Sequence, residues 1–228
     1  MQQIGLENST FSDFEIIKCE SSRYLQPYRL KFKQNGVMRI WDGIKSHASV
    51  SCLIYNKEKK CLLLVRQFRP VVFISKLIEK QQPKSDDEPL DCSLVDPREG
   101  ITYELCAGIC DKSKSMEETV HEEIVEECGY QADMAKIYKI ADTRLGVGLL
   151  GAMHSIYYTE VDESMRVSAG GGNASEGEFI DVYELPEHAV REFIRDSTSS
   201  QKPPGLLFAL TWFLHEKDLF FLERMHTN

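Results

Sequence analysis

The segment that most restricts the fold is SMEETVHEEIVEECGY, residues 115–130, because an acidic helix there must bury one face and expose the other. Ser115, followed three residues later by Glu118, fits a capping box, which is typical of a helix start. Gly129 is a typical helix stop, since glycine accepts the left-handed backbone conformation that follows a last turn. The pattern therefore predicts a helix from Ser115 to about Cys128.

Two carboxylates of this helix lie at the edge of its apolar stripe. At 100° per residue, Glu123 and Glu127 fall within about 20° of Met116, on the face that packs inward. Glu126 stands beside them, and Glu122 faces further out. A merely solvated acidic face would lie opposite the stripe, so the pattern favours a function for these carboxylates. The stripe consists of Met116, Val120, Ile124 and Cys128.

The spacing of these carboxylates predicts a bound cation. One helical turn, about 6 Å, separates Glu123 from Glu127, and like charges at that distance repel by about 3 kcal/mol at an effective dielectric of about 20. A positive ion between them removes the repulsion. Oxygen ligands without nitrogen or sulfur partners select Mg²⁺ or Mn²⁺ over zinc or copper. The expected cofactor is therefore Mg²⁺, with Mn²⁺ as the alternative.

The rest of the chain predicts an α+β fold, with a mixed β-sheet between helices. Gln34-Asn35-Gly36 is a hairpin turn between two early strands. Residues 75–100 predict a long surface excursion, and two helices are expected to close the chain, the last one apolar and running from about Pro204 to Glu216. The predicted strands are Phe14–Cys19, Tyr28–Lys33, Val37–Trp41, Ser49–Tyr55, Cys61–Phe68, Ile101–Ala107, Ala152–Val161 and Glu178–Leu185.

Composition excludes several classes of function. The 228 residues carry a net charge of -9 without a dense Lys/Arg run, which disfavours nucleic-acid partners. The longest apolar stretch, residues 206–214, is too short to span a bilayer, and the N-terminus lacks a secretory leader pattern. The seven cysteines, an odd number, indicate reduced thiols rather than a disulfide framework. We therefore expect a cytoplasmic protein with no membrane span.

Gly108, thirteen further residues and then EEIVEECGY at 122–130 resemble the Nudix box. This resemblance implies a Nudix-type mixed sheet between helices and a loop-helix-loop motif. In the family, glutamates of that motif bind divalent ions that bridge the diphosphate of a nucleoside diphosphate linked to another group. By position the ligands would be Glu123, Glu126 and Glu127, with the main-chain carbonyl of Ala107 completing the metal shell.

Two positions depart from the Nudix pattern. Lys114 stands where the family usually has a glutamate, and Glu122 stands where it usually has an arginine that pairs with a metal-binding glutamate. These departures leave open a catalytically weak protein that binds nucleotide sugars without turnover. An acidic scaffold dimer without a ligand is a further alternative.

Segments outside the box resemble one branch of the family. LLLVRQFRP, YELCAGICD and EGEFIDV are similar to segments of UDP-sugar pyrophosphatases, which group with the ADP-ribose pyrophosphatases. The resemblance implies hydrolysis of UDP-glucose to UMP and glucose 1-phosphate, with ADP-ribose as the alternative substrate. It also implies a homodimer. An N-terminal β-strand region, residues 1–45, would reach the active site of the partner's hydrolase domain, residues 46–228.

Residues outside the box complete the predicted site. In the ADP-ribose branch a flexible loop supplies the general base, which matches Glu176 as the base and Glu178 as an additional metal contact; the reverse order and plain solvated acids are alternatives. Arg66 and Arg69 would point to opposite faces of a strand, and we favour Arg69 for holding phosphate, with a surface salt bridge as the alternative. Trp41 offers a ring for stacking uracil, or for simple packing.

Overall fold

A computed structural model describes residues 5–6, 9–17, 19–22, 25–85, 88–110, 113–197 and 201–226 of the chain. Within these ranges the chain forms a two-stranded hairpin, a seven-stranded mixed sheet and five α-helices. None of these helices combines the length and the apolar composition that crossing a bilayer requires.

The hairpin precedes the main sheet and is largely exposed on both faces. Strand β1 (Gln26–Gln34) pairs with β2 (Val37–Lys45) in antiparallel register. Asn35 and Gly36 of its turn have φ angles of 51° and 80°, the left-handed conformation that an Asn-Gly turn supplies. The predicted turn and its two strands are confirmed.

The main sheet is mixed because it contains one parallel pair of strands. Its strands are β3 (Ser49–Asn56), β4 (Cys61–Phe68), β5 (Ile101–Glu104), β6 (Cys106–Ile109), β7 (Tyr138–Arg144), β8 (Met153–Val161) and β9 (Ile180–Pro186). The order is β5-β4-β3-β8-β7, with β6 also paired to β3 and β9 to β4. Strands β3 and β8 run parallel, and the other pairs are antiparallel.

Helices cover both faces of this sheet. They are α1 (Pro70–Gln81), α2 (Met116–Glu123), α3 (Val190–Arg195), α4 (Pro204–His215) and α5 (Lys217–His226). Side chains alternate along a strand, so β4 serves two cores. Leu63 packs in one core with Val120 and Ile124 on the α2 side, and Leu64 packs in the other with Leu206 of α4. The predicted α+β sheet between helices is confirmed.

Two strand predictions need correction, and one strand was not predicted. The expected strand at Phe14–Cys19 is wrong, because the described residues there form no strand; the Phe14 ring packs 4.7 Å from that of Phe73 instead. The single strand expected over Ile101–Ala107 is two, β5 and β6, because the chain changes its partner from β4 to β3 around Leu105. Strand β7 was not predicted, since it is a half-buried end strand with weak alternation.

Two helix predictions also need correction. The surface excursion expected from residue 75 begins inside α1, which buries only Phe73 and Leu77 and therefore carries a weak periodic signal. Gln82, in a left-handed conformation, ends this helix. The apolar helix over residues 204–215 is confirmed, but it is not the last, since α5 follows it after a break at Glu216.

Candidate active site

The predicted acidic helix is present, with the predicted start and stop. The Ser115 hydroxyl accepts a hydrogen bond from the Glu118 N–H, and the Glu118 carboxylate accepts one from the Ser115 N–H. Helix α2 then widens into a π-helical turn, Ile124–Cys128, before Gly129 ends it at φ 78°. π-helical turns occur frequently at functional sites.

Glu127 is the buried carboxylate of the site, with only 4% of the residue exposed. Its Oε2 accepts a hydrogen bond of 2.9 Å from the Ala107 N–H in β6. Along a β-strand the N–H and C=O of one residue point to the same side. The Ala107 carbonyl therefore lies on the same strand edge as the Glu127 carboxylate, as its predicted role requires.

Burial is the main cause that raises the pKa of Glu127 to about 8. The negative charges of Glu123 and Glu178 raise it further, and the Ala107 hydrogen bond opposes the shift. Glu123 and Glu178 are therefore near enough to Glu127 to repel it. The structure thus brings two of the predicted acids together with a third from outside the box.

Gly108 makes room for Glu123. A Cβ atom on Gly108 would overlap the Glu123 carboxylate, so glycine leaves room for this side chain in the position it occupies. Glu126, the third predicted ligand of the box, lies at an exposed position of the same turn.

A glycine-rich loop closes the end of the helix and carries Glu178 to the cluster. Gly171 donates its N–H to the Glu127 carbonyl at 2.8 Å, and Gly172 donates to the Glu126 carbonyl at 3.1 Å. The Glu178 carboxylate accepts the Asn173 N–H at 3.0 Å, which orients it within the loop. Glu176 ends a short 3₁₀ turn, but its side chain lies outside the described part of the structure, so its role as base stays a prediction.

Arg69 lies close enough to Glu127 and Glu178 for their charges to act on its guanidinium. Its Nε and Nη2 donate to the two oxygens of Glu104 at 2.8 and 2.6 Å. This pair raises the pKa of the Arg69 guanidinium, and the charges of Glu127 and Glu178 act in the same direction. Sequence reasoning missed Glu104; its signal is a charged residue at the end of an otherwise uncharged strand.

Arg66 and Trp41 lie elsewhere. Arg66 places its guanidinium 5.4 Å from the centre of the Tyr103 ring, on the sheet face that α4 covers. Trp41, in the hairpin, is 48% exposed and donates its Nε1–H to the Gly148 carbonyl at 3.0 Å. The described contacts of these two side chains are not with the clustered glutamates, and their substrate contacts stay predictions.

The two positions that depart from the Nudix pattern pair with each other. The Lys114 ammonium contacts both carboxylate oxygens of Glu122, at 2.6 Å for Oε2. Both side chains are substantially exposed, so the pair contributes little to stability. The ion pair keeps the Glu122 side chain on the outer side of the helix and connects the loop before the helix to that side chain.

Among the described residues, no three side chains of His, Cys, Asp or Glu converge closely enough to coordinate an ion as they stand. The donor chemistry nevertheless suits a hard cation. The buried Glu127 carboxylate, the nearby Glu123 and Glu178 and the Ala107 carbonyl all offer oxygen atoms, which Mg²⁺ and Mn²⁺ prefer. A cation would also relieve the mutual repulsion of these acids.

No family model matches the chain. It is 38% identical over 203 residues to the bovine (Bos taurus) protein named uridine diphosphate glucose pyrophosphatase NUDT14, covering 86% of this chain and 90% of the relative. The mouse (Mus musculus) protein of that name is 36% identical over 87% of this chain and 91% of its own length. The chain belongs to the Nudix hydrolase family.

A solved structure shares the Nudix fold. It is described as an ADP compounds hydrolase, with a TM-score of 0.58, 14% identity, and coverage of 88% of this chain and 92% of its own. The predicted family and fold are confirmed, and the protein is a Nudix pyrophosphohydrolase.

The buried carboxylate predicts how the metal-free enzyme responds to pH. The pKa of Glu127 is about 8 in the folded protein and about 4.3 in an unfolded chain, so between these values the folded state binds more protons. The contribution of Glu127 to the free energy of unfolding therefore falls as pH rises through this window. We expect Glu127→Gln to remove this fall and to be more stable than the wild type at pH 8.

Urea unfolding in chelator at pH 5 to 8 measures this effect. The exposed Glu79→Gln on α1 is the matched control and should keep the wild-type slope. Equal slopes in the wild type and Glu127→Gln would contradict the assignment.

The Lys114–Glu122 pair predicts that reversing both charges restores what each single reversal removes. Lys114→Glu places two like charges together, as does Glu122→Lys, whereas the double variant pairs them again. We expect a coupling free energy of about 0.5 kcal/mol, the usual size for an exposed ion pair, from a double-mutant cycle of urea unfolding. Additive effects of the two substitutions would show that the side chains do not interact.

Proposed function

We propose that this Nudix enzyme hydrolyses the diphosphate bond of a nucleotide sugar, UDP-glucose, to UMP and glucose 1-phosphate in a Mg²⁺-dependent reaction. One observation carries the chemistry: a buried carboxylate, Glu127, is held at the edge of β6 beside other acids and the Ala107 carbonyl. The substrate is supported by the two mammalian relatives named UDP-glucose pyrophosphatases.

The relatives are named for the same type of reaction but not for the same nucleotide, because a third one is named for GDP-mannose. A Salmonella paratyphi B protein named GDP-mannose pyrophosphatase is 31% identical, but over only 63% of this chain and 62% of its own length. The mammalian relatives match more of the chain at higher identity, which favours the uridine nucleotide.

The chain's own residues divide the work of the proposed reaction. Glu123, Glu126, Glu127 and the Ala107 carbonyl would hold the Mg²⁺, with Glu178 as a further ligand. Bound there, the ion supplies charge neutralisation of the diphosphate oxygens and polarisation of the attacking water. The Arg69 guanidinium pairs with Glu104 through Nε and Nη2, and it can donate a further hydrogen bond to a phosphate oxygen. Glu176 would accept a proton from the water as a new P–O bond forms and the P–O–P bridge breaks.

The proposal predicts which substrate is cleaved and which variant is inactive. We expect UDP-glucose to be hydrolysed faster than ADP-ribose or GDP-mannose with Mg²⁺, and no substrate to be hydrolysed with chelator. Glu127→Gln should lower kcat/KM by more than the roughly 10- to 100-fold that loss of an outer-shell partner costs. Chromatography of the nucleotide products measures both, with Glu79→Gln as the exposed control.

Turnover that survives chelator and Glu127→Gln would overturn the metal assignment. Faster cleavage of ADP-ribose would overturn the substrate. Binding of UDP-glucose without any product would instead favour the catalytically weak binding protein.

We also propose that the hairpin mediates a homodimer. A two-stranded hairpin is marginal in water without packing on one face. Leu30 and Trp41 lie opposite each other in the β1–β2 register and share one face of the hairpin with Tyr28. Leu30 is 53% exposed, Trp41 48% and Tyr28 51%. The opposite face carries Lys31 and the exposed pair Arg29–Asp42, together with the apolar Ile40 and Met38. A second copy of this chain is the occupant we assign to the apolar face.

The dimer predicts a sharp difference between the two hairpin faces. Leu30→Asp places a charge in the apolar face and should convert a dimer into a monomer, as measured by light scattering after size-exclusion chromatography. Lys31→Asp introduces the same side chain on the opposite face and should remain dimeric. A wild-type monomer at micromolar concentration, or a dimer unaffected by Leu30→Asp, would contradict this interface.

A further inference from the structure

A strap formed by residues 5–6 and 9–14 precedes the hairpin and packs against the main sheet. Its first contact is made by Leu6, which is only 2% exposed. The Leu6 N–H donates to the Asp181 carboxylate at 3.0 Å, and Asp181 is the second residue of β9. A carboxylate accepts a main-chain N–H more strongly than a neutral oxygen does, so this hydrogen bond anchors the strap to the start of β9.

The second contact of the strap is aromatic. The Phe11 ring lies 4.5 Å from the ring of Phe68, the last residue of β4. The Phe14 ring lies 4.7 Å from the ring of Phe73, which is buried in α1. Aromatic pairs at such separations attract each other beyond the effect of burial alone. The strap thus reaches from the start of β9 to the end of β4.

These two strand ends lie side by side. Strands β4 and β9 are antiparallel, and Arg66 is opposite Asp181 in their register. Because side chains alternate along a strand, Phe68 lies on the same face of the sheet as Arg66 and Asp181. The strap therefore spans one end of the β4–β9 ladder on a single face.

Both strand ends adjoin residues of the proposed site. Arg69 directly follows Phe68 in the chain, and Glu178 lies three residues before Asp181. The charge of Glu178 acts on the buried carboxylate of Glu127, so the start of β9 leads directly from the carboxylate cluster.

The loop that carries Glu178 is costly to order, because glycine loses more conformational freedom on folding than any other residue. Residues 170–172 are three consecutive glycines. The loop closes through two main-chain hydrogen bonds. Ile180 donates its N–H to the Gly171 carbonyl at 3.2 Å, and the Glu178 N–H donates to the Asn173 carbonyl at 3.2 Å. Both donors lie in the segment that continues into β9, so a fixed start of β9 keeps the loop closed.

We propose that the strap holds Glu178 beside Glu127 by fixing the start of β9, with Asp181 as the positioning residue. The proposal rests on the metal-dependent reaction proposed above, in which Glu178 is a ligand. Asp181 acts on the metal ion only through Glu178. The N-terminal residues thereby become part of what organises the site.

Hydrogen exchange in chelator, followed by mass spectrometry, tests the anchor without a metal. Asp181→Ala removes the acceptor of the Leu6 N–H, and we expect the main-chain amides of residues 171–180 to exchange at least about tenfold faster. Asp181→Asn retains an acceptor oxygen and should exchange like the wild type. Asp133→Ala is the matched control, because this carboxylate also accepts a main-chain N–H, that of Ala135, in the turn before β7.

Binding of Mn²⁺ without substrate, measured by electron paramagnetic resonance, tests whether the strap acts through Glu178. We expect Asp181→Ala to raise the Kd of Mn²⁺ by about tenfold, the lower end of what outer-shell residues contribute. In a Glu178→Gln background the same substitution should change the Kd by less than about twofold, because its route to the ion is already lost. Asp133→Ala should bind Mn²⁺ like the wild type.

Leu6→Ala attacks the same anchor from the strap. It removes the buried side chain that holds the Leu6 N–H in place, so we expect it to repeat the exchange and Mn²⁺ results of Asp181→Ala. Thermal unfolding midpoints show whether each variant is folded. If Asp181→Ala is unfolded, Leu6→Ala decides the test.

Two outcomes would overturn the role of the strap: unchanged exchange of residues 171–180 in the anchor variants, or independent effects of Asp181→Ala and Glu178→Gln on the Kd of Mn²⁺. Faster exchange of the same size in Asp133→Ala would also overturn it. Hydrolysis of UDP-glucose by the wild type is followed separately. A wild type that neither binds Mn²⁺ nor hydrolyses the substrate, with exchange that still depends on Asp181, would reject the reaction and retain the anchor.

Discussion

The site depends on one hydrogen bond, between the Ala107 N–H at the edge of β6 and the carboxylate of Glu127. A buried carboxylate is unfavourable unless it has partners, and the fold supplies this N–H together with the Cys106 thiol. The hydrogen bond joins the π-helical turn that follows α2 to the sheet. Helix α2 carries Glu123 past Gly108, where a Cβ atom would overlap the Glu123 carboxylate as it stands, so this acid lies directly against the main chain of β6.

The end of the helix is held just as tightly from the other side. Gly170 lies so close to the Glu127 carbonyl that a Cβ atom there would overlap it, and Gly171 donates its N–H to the same carbonyl. The loop that provides these glycines continues to Glu178. Contacts that close the helix therefore also deliver an acid from a distant part of the chain to the cluster.

The sequence predicted what depends on periodicity and local turn chemistry. Helical periodicity placed Glu127 at the buried edge, because the apolar stripe of α2 repeats every 3.6 residues. The capping box at Ser115 indicated where that repeat starts. The sequence did not predict that Glu104 is the partner of Arg69, or that Lys114 is the partner of Glu122. The first depends on where β5 sits against β4, and the second on a loop path; neither is encoded in a local pattern.

Strand β6 shows how one short element can contribute to two separate features of the fold. Its Ala107 presents main-chain groups along the strand edge and a side chain toward one face of the sheet. The edge groups face the carboxylates, whereas the small side chain leaves open a pocket that α4 covers. A larger residue at 107 would keep the main-chain contact with Glu127 and still fill part of the cavity. The fold thus places the main-chain groups that meet the carboxylates apart from the walls of this pocket, and the two can vary independently.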